Sequence, residues 1–236
     1  MKKLCLIFIL LCANSIVYSD GIKIGAWGNY TAVAMGDFNN YMKVVSDSLV
    51  TSGYTVDYNK MQNAITGGLD FGYEIFPVLV GIKVGYLNCF PVKFGSKKGL
   101  SYDNAQLDMS LISLLGGGSY SLKVAKDISI KIDAYTGLGL SNVSMSDSTA
   151  SYNAEAKAAG CSFVGDFSIG LEFVVLSGVE FEVNTGYRLA KTARVNITSN
   201  KGYSYQIGDP LTDFSGKALE MDFSGVTVGA GINISF

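Results

Sequence analysis

The sequence has 236 residues, 48% of them hydrophobic and only 16% charged, with 28 glycines, a net charge of −2 and no histidine. That balance excludes recognition of nucleic acid through a basic surface. The missing histidine excludes His-dependent hydrolysis, acyl transfer and any His-containing metal site, so no residue is assigned as catalytic, as a cofactor contact or as a metal ligand.

Lys2 and Lys3 precede an uncharged run over residues 4–17, and Val17, Tyr18 and Ser19 end it with a cleavage pattern. This reads as a secretory signal peptide, residues 1–19; the run is shorter than the roughly 20 residues a spanning helix needs. Cys12 opens a lipoprotein alternative, although Leu11 stands where a small residue is expected. Cleavage leaves one domain, residues 20–236. Without the two lysines of the leader, 16 basic residues face 20 acidic ones, a net charge near −4. Cys89 and Cys161 are too few for a disulfide framework. One bridge is open to them, but the strands that carry them are not neighbours, which favours two unpaired thiols at outer strand ends.

Alternation with period two dominates the mature chain, the mark of strands. The first strand sets Ile22, Ile24, Ala26 and Tyr30 against Lys23, Gly25, Trp27 and Asn29. In the connection that follows, Phe38, Tyr41, Met42, Val45 and Leu49 recur at helical spacing, with Asp37 as the cap and Gly53 beyond the end, which predicts a short amphipathic helix. Its stripe packs on the barrel mouth or on other loops; the functional alternative is a surface for a partner or for the lipid interface. Ile65, Leu69, Phe71, Tyr73 and Ile75 form the second strand, and a turn at Pro77 leads to the third with Val78, Val80, Ile82, Val84 and Tyr86.

The fourth strand begins with Leu107, Met109 and Leu111 and ends with Tyr120, Leu122 and Val124, so its apolar phase changes across Gly116, Gly117 and Gly118. A bulge there would reset the pleat. The fifth strand alternates Ile128, Ile130, Ile132, Ala134, Leu138 and Leu140 with Ser129, Lys131, Asp133, Tyr135, Gly137 and Gly139. Phe163, Phe167, Ile169, Leu171 and Phe173 mark the sixth strand, and Val179, Phe181, Val183, Tyr187 and Leu189 the seventh. The eighth runs from Val226 to the final Phe236. Short turns at residues 76–78, 125–127 and 176–178 alternate with long connections at 31–63, 89–104, 141–160 and 190–218. That asymmetry is expected of an all-β, closed, antiparallel up-and-down transmembrane barrel of eight strands, with both termini on the short-turn side and one short helix in the first external loop.

A soluble ligand-carrying barrel also alternates, with its apolar face inward. The polar face decides: it carries Gly25, Gly68, Gly72, Gly81, Gly85, Gly137, Gly139, Gly170, Gly186, Gly229 and Gly231, which weaken a water-facing strand but leave room inside a narrow barrel for Trp27, Tyr135 and long charged chains. On the same face fall Asp70, Glu74, Asp108, Asp133, Asp166, Glu172, Glu180 and Glu182, together with Lys23, Lys83, Lys123, Lys131 and Arg188. Unpaired interior charge is costly, so these predict a buried ionic network that argues against a wide pore. Acid/base chemistry by paired carboxylates is the weaker alternative.

Gly231, Ile234 and Phe236 close the chain in mid-alternation on an aromatic residue. This ending resembles the C-terminal signal read by the outer-membrane assembly machinery, with Gly229 departing from the common pattern. As an architecture, the mature chain is similar to the small eight-stranded bacterial outer-membrane β-barrel superfamily, which includes the transmembrane domain of outer membrane protein A, and to related porin-like barrels. The resemblance implies the bacterial outer membrane as the location, with outer-membrane lipid and the barrel assembly machinery as partners, more firmly than any activity. The expected role is structural or surface-interacting, through the loops 31–63, 89–104, 141–160 and 190–218. A narrow pore for ions or small solutes is the alternative, and a soluble periplasmic ligand-binding barrel the second.

Overall fold

The computed structural model describes residues 21–99, 101–149, 152–213 and 215–236. The expected signal peptide, 1–19, and the first residue of the expected domain lie outside the described residues. Twelve strands and one helix follow in order: β1 (Gly21–Val33), α1 (Gly36–Thr51), β2 (Thr55–Tyr58), β3 (Asn63–Ile75), β4 (Val78–Cys89), β5 (Val92–Lys98), β6 (Ser101–Ala125), β7 (Ile128–Thr149), β8 (Tyr152–Leu176), β9 (Val179–Thr192), β10 (Asn196–Lys201), β11 (Met221–Asp222) and β12 (Gly225–Ser235).

Eight of these, β1, β3, β4, β6, β7, β8, β9 and β12, form a ring of antiparallel neighbours that closes where β1 pairs with β12 from Lys23↔Ser235 to Val33↔Gly225. Closure leaves no unpaired edge within the barrel. The three short turns stand at residues 76–77, 126–127 and 177–178, at the same end as Gly21 and Phe236. The expected barrel and strand count are therefore present.

The pleat of β6 runs without interruption. Its pairing with β4 is regular from Val78↔Tyr120 to Asn88↔Ser110, and with β7 from Asp103↔Thr149 to Lys123↔Ser129. The bulge expected at Gly116 to Gly118 is therefore absent; the irregularity in this pair lies beside the short turn, between Lys123 and Ala125. What changes along the strand is the surroundings. On β7 the outward Ile130, Ile132, Leu138 and Leu140 are followed by outward Asn142, Ser146 and Ser148, while the inward Lys131, Asp133 and Ser141 are followed by inward Val143. On β6, outward Ile112 and Leu114 give way toward the loop end to Gln106 and Asp108, while Met109, Leu111 and Leu115 are buried inside. Parity is constant along a strand, and the apolar side passes from the outside of the barrel to its inside.

That exchange lets the strands continue through residues expected to be loop. Residues 141–160 are not a loop: β7 and β8 stay paired up to Thr149↔Tyr152, with Ala154, Ala156 and Ala158 buried and Glu155 and Lys157 exposed. Residues 89–104 hold β5, paired with β6 and in turn with β2, and residues 190–218 hold β10 against β8. The long connections are largely an upward continuation of the sheet, polar outside and apolar within, as in other half-solvated antiparallel sheets.

The expected helix is present, but Asp37 is not its cap: the cap position is Met35, with no side-chain bond, and Asp37 sits in the first turn, where negative charge favours the N-terminal amides. Gly53 follows the helix at φ 84°, a backbone state cheap only for glycine. Asn39 fastens α1 to the barrel through two bonds with the Met61 backbone, at 2.8 and 3.0 Å. Phe38, Met35, Met61, Met109, Leu111 and Phe223 belong to one buried cluster at the loop end, with Tyr41 and Met42 packed on it. The stripe of α1 thus packs on the barrel mouth.

Two glycines test the inward and outward assignment. A Cβ at Gly68 would run into the Val84 carbonyl oxygen and stand 2.6 Å from Trp27 Cζ2, whereas one at Gly116 meets nothing within 4 Å. Gly68→Ala should cost about 1–3 kcal/mol by overpacking and Gly116→Ala no more than about 0.5 kcal/mol, read from urea unfolding midpoints of the refolded protein.

Candidate functional site

Inward positions of the turn-side half gather the charged side chains into a linked cluster. Lys23 pairs with Glu172 at 2.9 Å, with Glu74 at 3.5 Å and with Glu180. Lys131 reaches Glu182 at 2.7 Å, Glu172 at 3.8 Å and Asp133 at 4.0 Å, and Lys83 reaches Asp133 at 3.2 Å. Arg188 grips Asp166 through two nitrogens, at 2.7 and 3.2 Å, and donates to Thr66 at 3.0 Å. Neutral donors supplement the cations: Asn233 donates to Glu172, Asn184 to Glu182 and Ser168 to Asp133. Asp70 stands opposite Lys83 in register.

Eleven of the thirteen charged residues expected in this interior network face the lumen. Asp108 does not. It accepts bonds from Gln106 at 3.0 and 3.2 Å on the exposed side of β6, because the unbroken pleat gives it the parity of Ile112 and Leu114. Lys123 is exposed at the turn end. The glycines serve as expected: Trp27 lies across Gly68 and Gly85, and Tyr135 is buried under Lys83, whose ammonium is 4.2 Å from the ring centre.

Between these groups remains a cavity of about 20 Å³, bordered by Trp27, Asn29, Asp70, Lys83, Asp133 and Asn184, room for about one water. Above it, the apolar cluster around Leu111, Leu115, Met109 and Phe223 fills the lumen toward the loop end. Sequence reasoning missed this second layer. The apolar phase change of β6 was its signal, since Met109, Leu111 and Leu115 are inward residues.

At the mouth, α1, β5 to β7 and residues 203–221 enclose a larger pocket of about 140 Å³. Its loop wall is held by Asp213, whose carboxylate accepts from the Ser215 hydroxyl at 2.7 Å and from the backbone of Ser215 and Lys217. These bonds, the Ser215 hydroxyl foremost, hold the Asp213 carboxyl below the usual range despite some desolvation. Burial, with Tyr205 and Asp213 nearby, raises the Tyr41 hydroxyl above its usual value. Cys89 and Cys161 are both free, Cys89 buried and Cys161 exposed. The assembly-signal residues separate by parity: Gly231 is inward beside Trp27, Ile234 is outward, and Phe236 lies exposed at the turn end with its N–H on the Ile22 carbonyl at 2.9 Å.

No family model and no curated protein matches the chain. Among solved structures, the chain is similar to Neisserial surface protein A, 11% identical over 93% of this chain and 100% of that one, with a TM-score of 0.40. It is similar to the attachment invasion locus protein of Yersinia pestis, crystallised with a heparin analogue, at 11% identity over 92% of this chain and 100% of that one, TM-score 0.40. It is also similar to the outer membrane protein OprG from Pseudomonas aeruginosa, at 13% identity over 93% and 97%, TM-score 0.43.

The network makes a paired prediction. Lys131→Met takes the cation from Glu182 and leaves Asp133 with Lys83 alone, and should cost about 3–5 kcal/mol. Asp108→Asn should change stability by less than about 0.5 kcal/mol, and both are measured by urea titration of the refolded barrel.

Proposed function

We propose that the protein spans a bacterial outer membrane as a closed barrel that does not conduct, and that its role is carried by the ordered structure at the loop end. The observation that supports this is the outward belt. Ile132 is 52% exposed, Phe167 49%, Leu138 71% and Val228 54%, and they belong to a continuous apolar surface far larger than a water-soluble monomer exposes. On β7 the outward apolar run covers residues 130–140, matching the roughly 9–11 residues with which a tilted strand crosses hydrocarbon. The first outward charges on three of the walls, Asp108, Lys157 and Lys191, stand above the belt among the described residues. A soluble ligand-carrying barrel needs the opposite arrangement, an apolar lumen within a polar wall.

The pore reading is disfavoured by the two layers that fill the lumen. A charged network below and a buried apolar cluster above both occupy the lumen, and the cavity between the charged groups has room for about one water. The closing signal at Gly231, Ile234 and Phe236 is assigned to recognition by the assembly machinery, with Ile234 and Phe236 presented outward before β12 pairs with β1.

In reconstituted bilayers the protein should give no steady single-channel current, and unboiled samples should migrate faster on gels than boiled ones, since a closed sheet satisfies its own backbone and unfolds slowly in lipid. Ile132→Arg should destabilise the inserted state by about 2–4 kcal/mol, while an arginine at Asn142, above the belt, should cost under about 1 kcal/mol. Equal costs at the two positions, or recovery of the protein in the periplasmic soluble fraction, would reject the membrane assignment.

A further inference from the structure

Above the belt, where the inside of the sheet turns apolar, the core does not close completely. It leaves the half-open pocket of about 140 Å³ between α1, the inner faces of β5, β6 and β7, and the 203–221 segment. Protein interiors leave few voids larger than a water, and an apolar cavity of about 150 Å³ in another protein stays dry and binds benzene. Phe38, Met42, Phe94, Leu107, Met145 and Met221 form much of the wall, and no charged residue lines it among the described residues. An ion entering would exchange its hydration for a mostly apolar wall with only neutral polar groups, such as Gln106, Ser146 and Thr212, and no counter-charge. The wall also selects between rings and alkyl chains. Rings of Phe38, Tyr41, Phe94, Tyr203 and Tyr205 face the space together with methionine sulfurs, and both groups attract aromatic edges and faces beyond simple burial. Tyr203 and Tyr205, 5.6 Å apart at the rim, set hydroxyl-bearing rings where the ligand meets water.

We propose that this pocket is a binding site for a neutral, single-ring aromatic compound carrying one small polar substituent. The site goes beyond the membrane role proposed above and does not depend on it.

The test uses the full mature chain folded in lipid nanodiscs, with empty nanodiscs as blank and para-fluorophenol as probe, followed by fluorine NMR. Saturable one-to-one binding is expected, with Kd on the order of 1 mM. Ala105→Phe fills the pocket from β6 and should weaken binding at least about tenfold, while Met145→Ala widens it and should shift preference from the single ring toward 2-naphthol. Cyclohexanol, similar in size but not aromatic, should compete several-fold less well than phenol. The gel mobility shift on boiling is scored on every sample, so a variant that fails to fold, or a failure of the barrel reading itself, is told apart from a failure of the site. Uptake that does not saturate above the blank, unchanged binding by folded Ala105→Phe, or equal competition by cyclohexanol would overturn the proposal.

Discussion

The pairing of β1 with β12 is the constraint on which the rest of this structure depends. An open eight-stranded sheet would expose two rows of unpaired amides and carbonyls, intolerable in hydrocarbon and prone to aggregation in water. Once the ring is shut, strict alternation sends every side chain either into the lumen or out of it, and a residue can change side only at an irregularity. The described irregularities of the ring lie next to short turns, between Lys123 and Ala125 and between Val174 and Leu176. Each long strand therefore keeps one parity through two environments.

Those environments select opposite compositions. In the belt, the lumen must accept the charged residues that the outside cannot, and the chain satisfies them by bringing Lys23, Lys131, Lys83 and Arg188 among seven carboxylates supported by Asn184, Asn233 and Ser168. Removing one cation leaves buried anions short of a partner, which is strongly destabilising. Above the belt the outside is water, polar residues move outward, and the inside becomes an ordinary apolar core of Met35, Phe38, Met109, Leu111 and Phe223. On the proposed membrane assignment, the protein is a barrel in lipid with a small sheet protein in water built on the same strands.

This stacking bears on function. The ionic lower layer and the apolar upper layer occupy the lumen in different ways. The proposed role is carried at the loop end, where α1 is fastened by Asn39 and the turn at residues 215–217 is braced by Asp213. Surfaces built on paired strands and a tethered helix hold their shape, whereas long irregular loops pay entropy on binding. An ordered mouth fits recognition of a defined shape better than adaptive contact.

The sequence by itself determined the ring: period-two alternation, three tight turns, glycines opposite Trp27 and Tyr135, and eleven charged residues on one face are local patterns, and local patterns report parity directly. It also announced α1, through apolar spacing that holds whatever the helix packs against. Tertiary structure alone decided how far the strands extend and which solvent each level meets. Leu107, Met109 and Leu111 look like a continuation of the outward face displaced by a bulge; only the register of β6 with β4 and β7 shows that they point inward and that Asp108 points out. Residues 141–160, rich in Ser and Ala, resemble a loop because small residues carry little strand propensity. They form a hairpin because β6 and β10 hold its two sides and Val195, Ile197 and Leu211 lie buried in the core nearby. Alternation is written into a chain one residue at a time, but the medium each face meets depends on what the rest of the chain places beside it.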